Sequence, residues 1–115
     1  MAVFGTVFMP QMALATFVND KWTDTEFVSA DSIQLHPGAH VLHYSSTCFE
    51  GLKAFRGKNG DILICNSNAS AKRMQLGCRR ILIPEISTKM FNDAIDKTLI
   101  NNLEDFPPYQ SEGCM

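Results

Sequence analysis

The sequence contains no apolar run of the roughly 20 residues needed to cross a bilayer, so a membrane-spanning helix is not expected. It has no basic excess either. Ten Lys and Arg stand against twelve Asp and Glu, and the net charge of −2 argues against a dedicated nucleic-acid binder. The four cysteines, Cys48, Cys65, Cys78 and Cys114, form no CxxC pair, and no paired histidine spacing accompanies them, which excludes the usual zinc patterns. There is no internal repeat and no low-complexity tract. Met1 to Ala15 lacks a basic leader and is interrupted by Pro10 and Gln11, so neither a signal peptide nor a transit peptide is expected. A cytoplasmic setting with reduced thiols is then the default.

What remains is a chain of 115 residues, 45% apolar, which fits a single domain over 1–115 with a small core. Met12 to Val18 has strand character, and Asn19-Asp20-Lys21 is a turn signal that predicts a hairpin towards Trp22, which should pack on the sheet. Thr23 to Asp31 reads as polar loop or edge strand. Pro37 can open a helical turn that ends near Leu42. Gly51 to Arg56 and Asp61 to Cys65 are strand-like, and the Gly57-Lys58-Asn59-Gly60 turn between them predicts a second hairpin. Capping residues from Asn66 to Ser70 start a helix whose apolar positions are Ala71, Met74, Leu76, Cys78, Ile81 and Leu82, with Pro84 as its stop. Ser87 caps a second helix, whose buried face is Met90, Phe91, Ala94, Ile95, Leu99 and Leu103. Asp93 and Lys97 have the spacing of an exposed ion pair. Antiparallel strands followed by two helices predict an α+β, two-layer domain.

The stretch with the most chemistry is His43 to Gly57, HYSSTCFEGLKAFRG. Small hydroxyl residues, Ser45, Ser46 and Thr47, lie between the aromatic Tyr44 and Phe49. That combination suits a pocket wall, with hydroxyls to bond a polar ligand and rings to supply flat apolar area. It equally suits a loop that leads into an edge strand. Cys48 reads either as a reactive thiol or as a small residue that fills space. Glu50 has no neighbouring carboxylate or histidine in sequence to perturb it, so no acid–base role is expected. Lys53 alternates with apolar neighbours and should face solvent.

HY, a short polar run and then FEGLKAFRG resemble the branched-chain amino-acid aminotransferases, pyridoxal-phosphate enzymes of fold type IV. Phe4-Gly5-Thr6-Val7-Phe8 resembles the amino-terminal segment of that family, and Leu35-His36-Pro37-Gly38-Ala39 its lead-in to the site. Arg73 followed by Pro84 resembles its first helix. The resemblance implies the amino-terminal small domain of such an enzyme. It assigns Arg73 to the phosphate of pyridoxal 5'-phosphate and Phe4, Tyr44 and Phe49 to the pocket for the branched side chain. It gives His43 a structural, backbone-bonding role and implies a homodimer, with branched-chain amino acids and 2-oxo acids as substrates. Lys72, Arg79 and Arg80 match no site residue and read as surface.

The large domain that carries the family's Schiff-base lysine has no match here, and none of these lysines corresponds to it. No catalytic residue is therefore expected in this chain, and the chain alone is expected to be inactive. Phe8 to Met12 and Met12 to Asn19 depart from the family pattern. Within the same fold, D-amino-acid transaminases and aminodeoxychorismate lyases are alternatives, ranked lower because they usually carry a Gly-Asp-Gly-type run where Ser45-Ser46-Thr47 stands. A non-catalytic interaction module is the reading from a different class.

Overall fold

A computed structural model describes residues 6–110. Its first unit is an interrupted hairpin. Strand β1 (Gln11–Leu14) pairs antiparallel with β4 (Glu26–Ser29), and β2 (Phe17–Val18) pairs with β3 (Lys21–Trp22). Asn19 and Asp20 both adopt positive φ, 50° and 61°, the backbone that a two-residue hairpin turn needs and that these side chains tolerate. Two residues separate β1 from β2 while three separate β3 from β4. That one-residue mismatch breaks the expected Met12–Val18 strand in two, in the manner of a bulge. Thr23 N–H donating to Thr16 O at 2.8 Å bridges the break.

A short 3-10 turn (Ala30–Ser32) and a one-turn helix α1 (His40–His43) lead to an irregular segment, 44–53. Strands β5 (Ala54–Arg56) and β6 (Ile62–Ile64) then form the second hairpin. Its turn closes through Gly57 N–H to Asp61 O at 2.7 Å and Gly60 N–H to Gly57 O at 3.0 Å. Gly60 takes φ of +90°, which requires glycine at that place. Helices α2 (Ser67–Ile81) and α3 (Thr88–Asn101) complete the fold. Ser87 caps α3 as expected, its hydroxyl accepting from Met90 N–H at 3.1 Å.

The α+β class holds, with the strands arranged as three two-stranded ladders. The β1–β4 ladder and α2 both pack on α3. Beneath β5 and β6, Ala54, Leu99 and Phe106 form a small buried cluster joined by Ile62, Ile64 and Ile95. Arg56 holds its guanidinium 5.5 Å from the Phe106 ring and donates to Leu103 O, fastening the hairpin to the chain after α3. Trp22 packs across its ladder against Phe17, its register partner. Its ring meets the edge of Phe17, and its indole N–H donates to Glu85 O at 2.8 Å, tying the first hairpin to the α2–α3 connection.

Three expectations are corrected. Asp93 pairs with Lys89, not Lys97, because Lys97 reaches across to donate to Thr25 O. Leu76, Ile81 and Leu82 are exposed, so α2 buries only Ala71 and Cys78. Helix α2 ends at Ile81, before Pro84, with Leu82 as its C-cap, whose φ of 58° lets Ile83 N–H return to Cys78 O at 3.0 Å. Leucine in that left-handed conformation is strained, and its side chain, 92% exposed, gains nothing in return. Leu82→Gly is therefore predicted to stabilise the chain by about 0.5–1 kcal/mol, the strain relieved less the entropy that glycine loses. A thermal melt should move up by roughly 2–5 °C. An unchanged or lower midpoint would show that the side chain has a partner.

Candidate functional site

The segment 44–53 has no ladder of its own and is shaped by local turns and by α2. Ser45 takes positive φ, and Thr47 N–H closes a tight turn on Ser45 O at 2.8 Å. His43 anchors the segment's start: its Nε2 lies 2.5 Å from Pro37 O, the backbone-bonding role expected of it. The turn directs Cys48 and Glu50 onto α2. The Cys48 sulfur lies 3.8 Å from Met74 O and fills the gap left by Gly77, where a side-chain carbon would come within 2.5 Å of it.

Two residues on, Glu50 meets Arg73. The guanidinium donates through Nε to Oε1 at 2.5 Å and through Nη2 to Oε2 at 2.6 Å, a bidentate fork. The Glu50 side chain is 4% exposed and that of Arg73 is 72% exposed, so the carboxylate lies beneath a guanidinium that faces solvent. The hydrogen bond from Arg73 is the main reason the Glu50 carboxyl is held below the usual carboxylate range; burial opposes it, and the Arg73 charge and the Ser70 hydroxyl help. Arg73 is pushed up by the same bond. Glu50, for which no acid–base role is expected, is thus the residue that orients Arg73. The two are 23 positions apart, and only the fold brings them together.

The remaining sequence-predicted site residues are dispersed. Tyr44 and Phe49 are 74% and 85% exposed and line no closed pocket among the described residues. Tyr44 stacks loosely against His40, with ring centroids 5.2 Å apart. Phe4 lies outside the described residues. A separate apolar cavity of about 300 Å³ lies between β1, α2 and α3, walled by Ala13, Trp22, Cys48, Met74, Cys78 and Met90. It reaches neither Tyr44, Phe49 nor Arg73, and its walls offer no charged group. No cluster of three or more His, Cys, Asp or Glu among the described residues is arranged to hold a metal.

No protein-family model matches the chain. Curated proteins do. The chain is 40% identical to a branched-chain-amino-acid aminotransferase of Helicobacter pylori over 85% of its own length. It is 33% identical over 95% to the enzyme of that name from Mycolicibacterium smegmatis, and 32% identical over 98% to the cytosolic one of Ovis aries. By sequence, the chain matches one part of the branched-chain-amino-acid aminotransferases. It spans 29–30% of the length of these three aminotransferases. The α+β architecture is consistent with a fold type IV small domain.

The exposed guanidinium of Arg73 has the chemistry to meet an anionic, phosphate-like group. Glu50 occupies one edge of the Arg73 guanidinium, and the side chain's 72% exposure leaves the other N–H donors facing solvent. Such a fork suits phosphate oxygens, provided that Glu50 fixes the orientation without closing the outer edge. A depressed Glu50 pKa makes its stabilising contribution complete above the unfolded value of 4.5, with loss as pH falls through the lower folded value. The stability gap between the chain and its Glu50→Gln variant should therefore be flat near neutrality and shrink in urea titrations below about pH 4.5. A gap that widened with acid would contradict the assigned sign.

Proposed function

We propose that this region is the small domain of a pyridoxal-phosphate-dependent branched-chain-amino-acid transaminase. The intact enzyme moves an amino group between leucine, isoleucine or valine and a 2-oxo acid such as 2-oxoglutarate. The observation that carries the reading is Arg73: a guanidinium oriented by Glu50, open on its far edge, in a chain with this family's sequence. Arg73 would hold the cofactor phosphate. Phe49 and Tyr44, exposed in this chain, and Phe4 would supply apolar wall to the substrate side chain. When bound, pyridoxal phosphate serves as the electron sink for chemistry at the amino-acid α-carbon. The lysine that anchors it would come from the part of the relatives' length that this chain does not match. A homodimer and a cytoplasmic location belong to the same proposal. Among the described residues no helix is long and apolar enough to cross a membrane.

In the full-length enzyme, Arg73→Ala is predicted to weaken pyridoxal-phosphate binding by roughly one to two decades, the value of a charge-assisted hydrogen bond. Phe49→Ala should leave cofactor affinity intact and reduce discrimination for branched over linear side chains. Cofactor titration and a substrate panel on both variants check the pair. Wild-type cofactor affinity in Arg73→Ala would remove the phosphate role from this position. The chain by itself, given leucine, 2-oxoglutarate and pyridoxal phosphate, should form no glutamate.

A further inference from the structure

Two of the four cysteines converge on one place. Cys48, on the irregular segment, and Cys78, on α2, both line the apolar cavity. The Cys48 sulfur occupies the gap over Gly77, the residue next to Cys78, and lies 3.8 Å from Met74 O, one helical turn before Cys78. Burial, and after it the neighbouring Cys48 thiol, push the Cys78 thiol up, so Cys78 is poorly suited to react first. Cys78 is 4% exposed, whereas Cys48 is half-buried and reachable. Cys65 is exposed and free, and its N–H is bonded to Lys53 O at the end of β6. Among the described cysteines, Cys48 and Cys78, 30 positions apart in sequence, are the two that share this cavity.

We propose that Cys48 and Cys78 are a modification site that a hydroperoxide converts to a reversible disulfide, clamping segment 44–53 onto α2. With hydrogen peroxide as the oxidant, the Cys48 sulfur attacks one peroxide oxygen; the O–O bond breaks, the departing hydroxide takes the Cys48 proton and leaves as the first water, and Cys48 becomes a sulfenic acid. The Cys78 sulfur then attacks the Cys48 sulfur and displaces hydroxide, which takes the Cys78 proton and leaves as the second water. Two thiols are oxidised and one peroxide is reduced. A dithiol reductant reverses the bond. The clamp closes two residues from Glu50 and on the helix that carries Arg73, so it would fix the fork that those two residues make.

The test is hydrogen peroxide on the native chain, followed by thiol counting, peptide mapping without reduction, and amide exchange. The titratable thiols should fall from four to two, with a mass loss of two hydrogens and a peptide containing Cys48 linked to one containing Cys78. Amides around Phe49, Glu50 and Gly51 should exchange more slowly after oxidation, and dithiothreitol should restore all readouts. A Cys65→Ser, Cys114→Ser chain should give the same link as a monomer. Linkage of Cys48 to Cys65 or Cys114, intermolecular dimers as the main product, or a Cys48 sulfenic acid that dimedone traps while Cys78 stays reduced would each overturn the proposal.

Discussion

The described structure depends on how an irregular segment is held against a helix. Residues 44–53 carry most of the sequence's distinctive chemistry, yet they form no ladder and bury no large side chain. Two side-chain contacts seat them on α2. The Cys48 sulfur drops into the gap above Gly77, and Glu50 takes the Arg73 fork. The first contact is steric and apolar and the second is ionic and directional. Together they fix where Phe49 points and which edge of Arg73 is left open.

Around that seat the domain is thin. Among the described residues the buried apolar set is Ala54, Ala71, Cys78, Phe91, Leu99 and Phe106, and only the two alanines are almost wholly enclosed. Long-range polar ties do much of the joining: Trp22 to Glu85 O, Gln75 to Ile86 O, Lys97 to Thr25 O and Asn92 to Asn68. Large apolar side chains, Phe8, Leu42, Tyr44 and Phe49 among them, remain at the surface.

Features dictated by backbone chemistry were legible in the sequence. Asn19-Asp20 and Gly60 sit where the chain needs positive φ, and both hairpins followed from them. The buried face of α3 followed from its three- and four-residue spacing, with Phe91 and Leu99 at its centre, except that Leu103, expected on it, lies beyond the helix and is exposed. Arg73 was singled out by resemblance, but its partner was not visible. Glu50 and Arg73 meet only through tertiary structure, and a local reading of Glu50 saw no neighbour. Lys97 was misassigned for the same reason: its acceptor, Thr25 O, is 72 positions away. Gly77 carried an unused signal. A glycine in mid-helix costs about 1 kcal/mol relative to alanine and often marks a close approach by another part of the chain.

That close approach is the point on which the account rests, and a double-mutant cycle tests it most directly. Gly77→Ala is measured by denaturant unfolding in the native chain and in a Cys48→Ala chain. If Cys48 seats the segment on α2, alanine at 77 collides with its sulfur and destabilises the native chain. With the sulfur removed, the same change should stabilise by about 0.5–1 kcal/mol, the ordinary helix preference of alanine over glycine. Equal effects in the two backgrounds would contradict the account, because residues 48 and 77 would then be uncoupled and segment 44–53 would not be held where the structure places it.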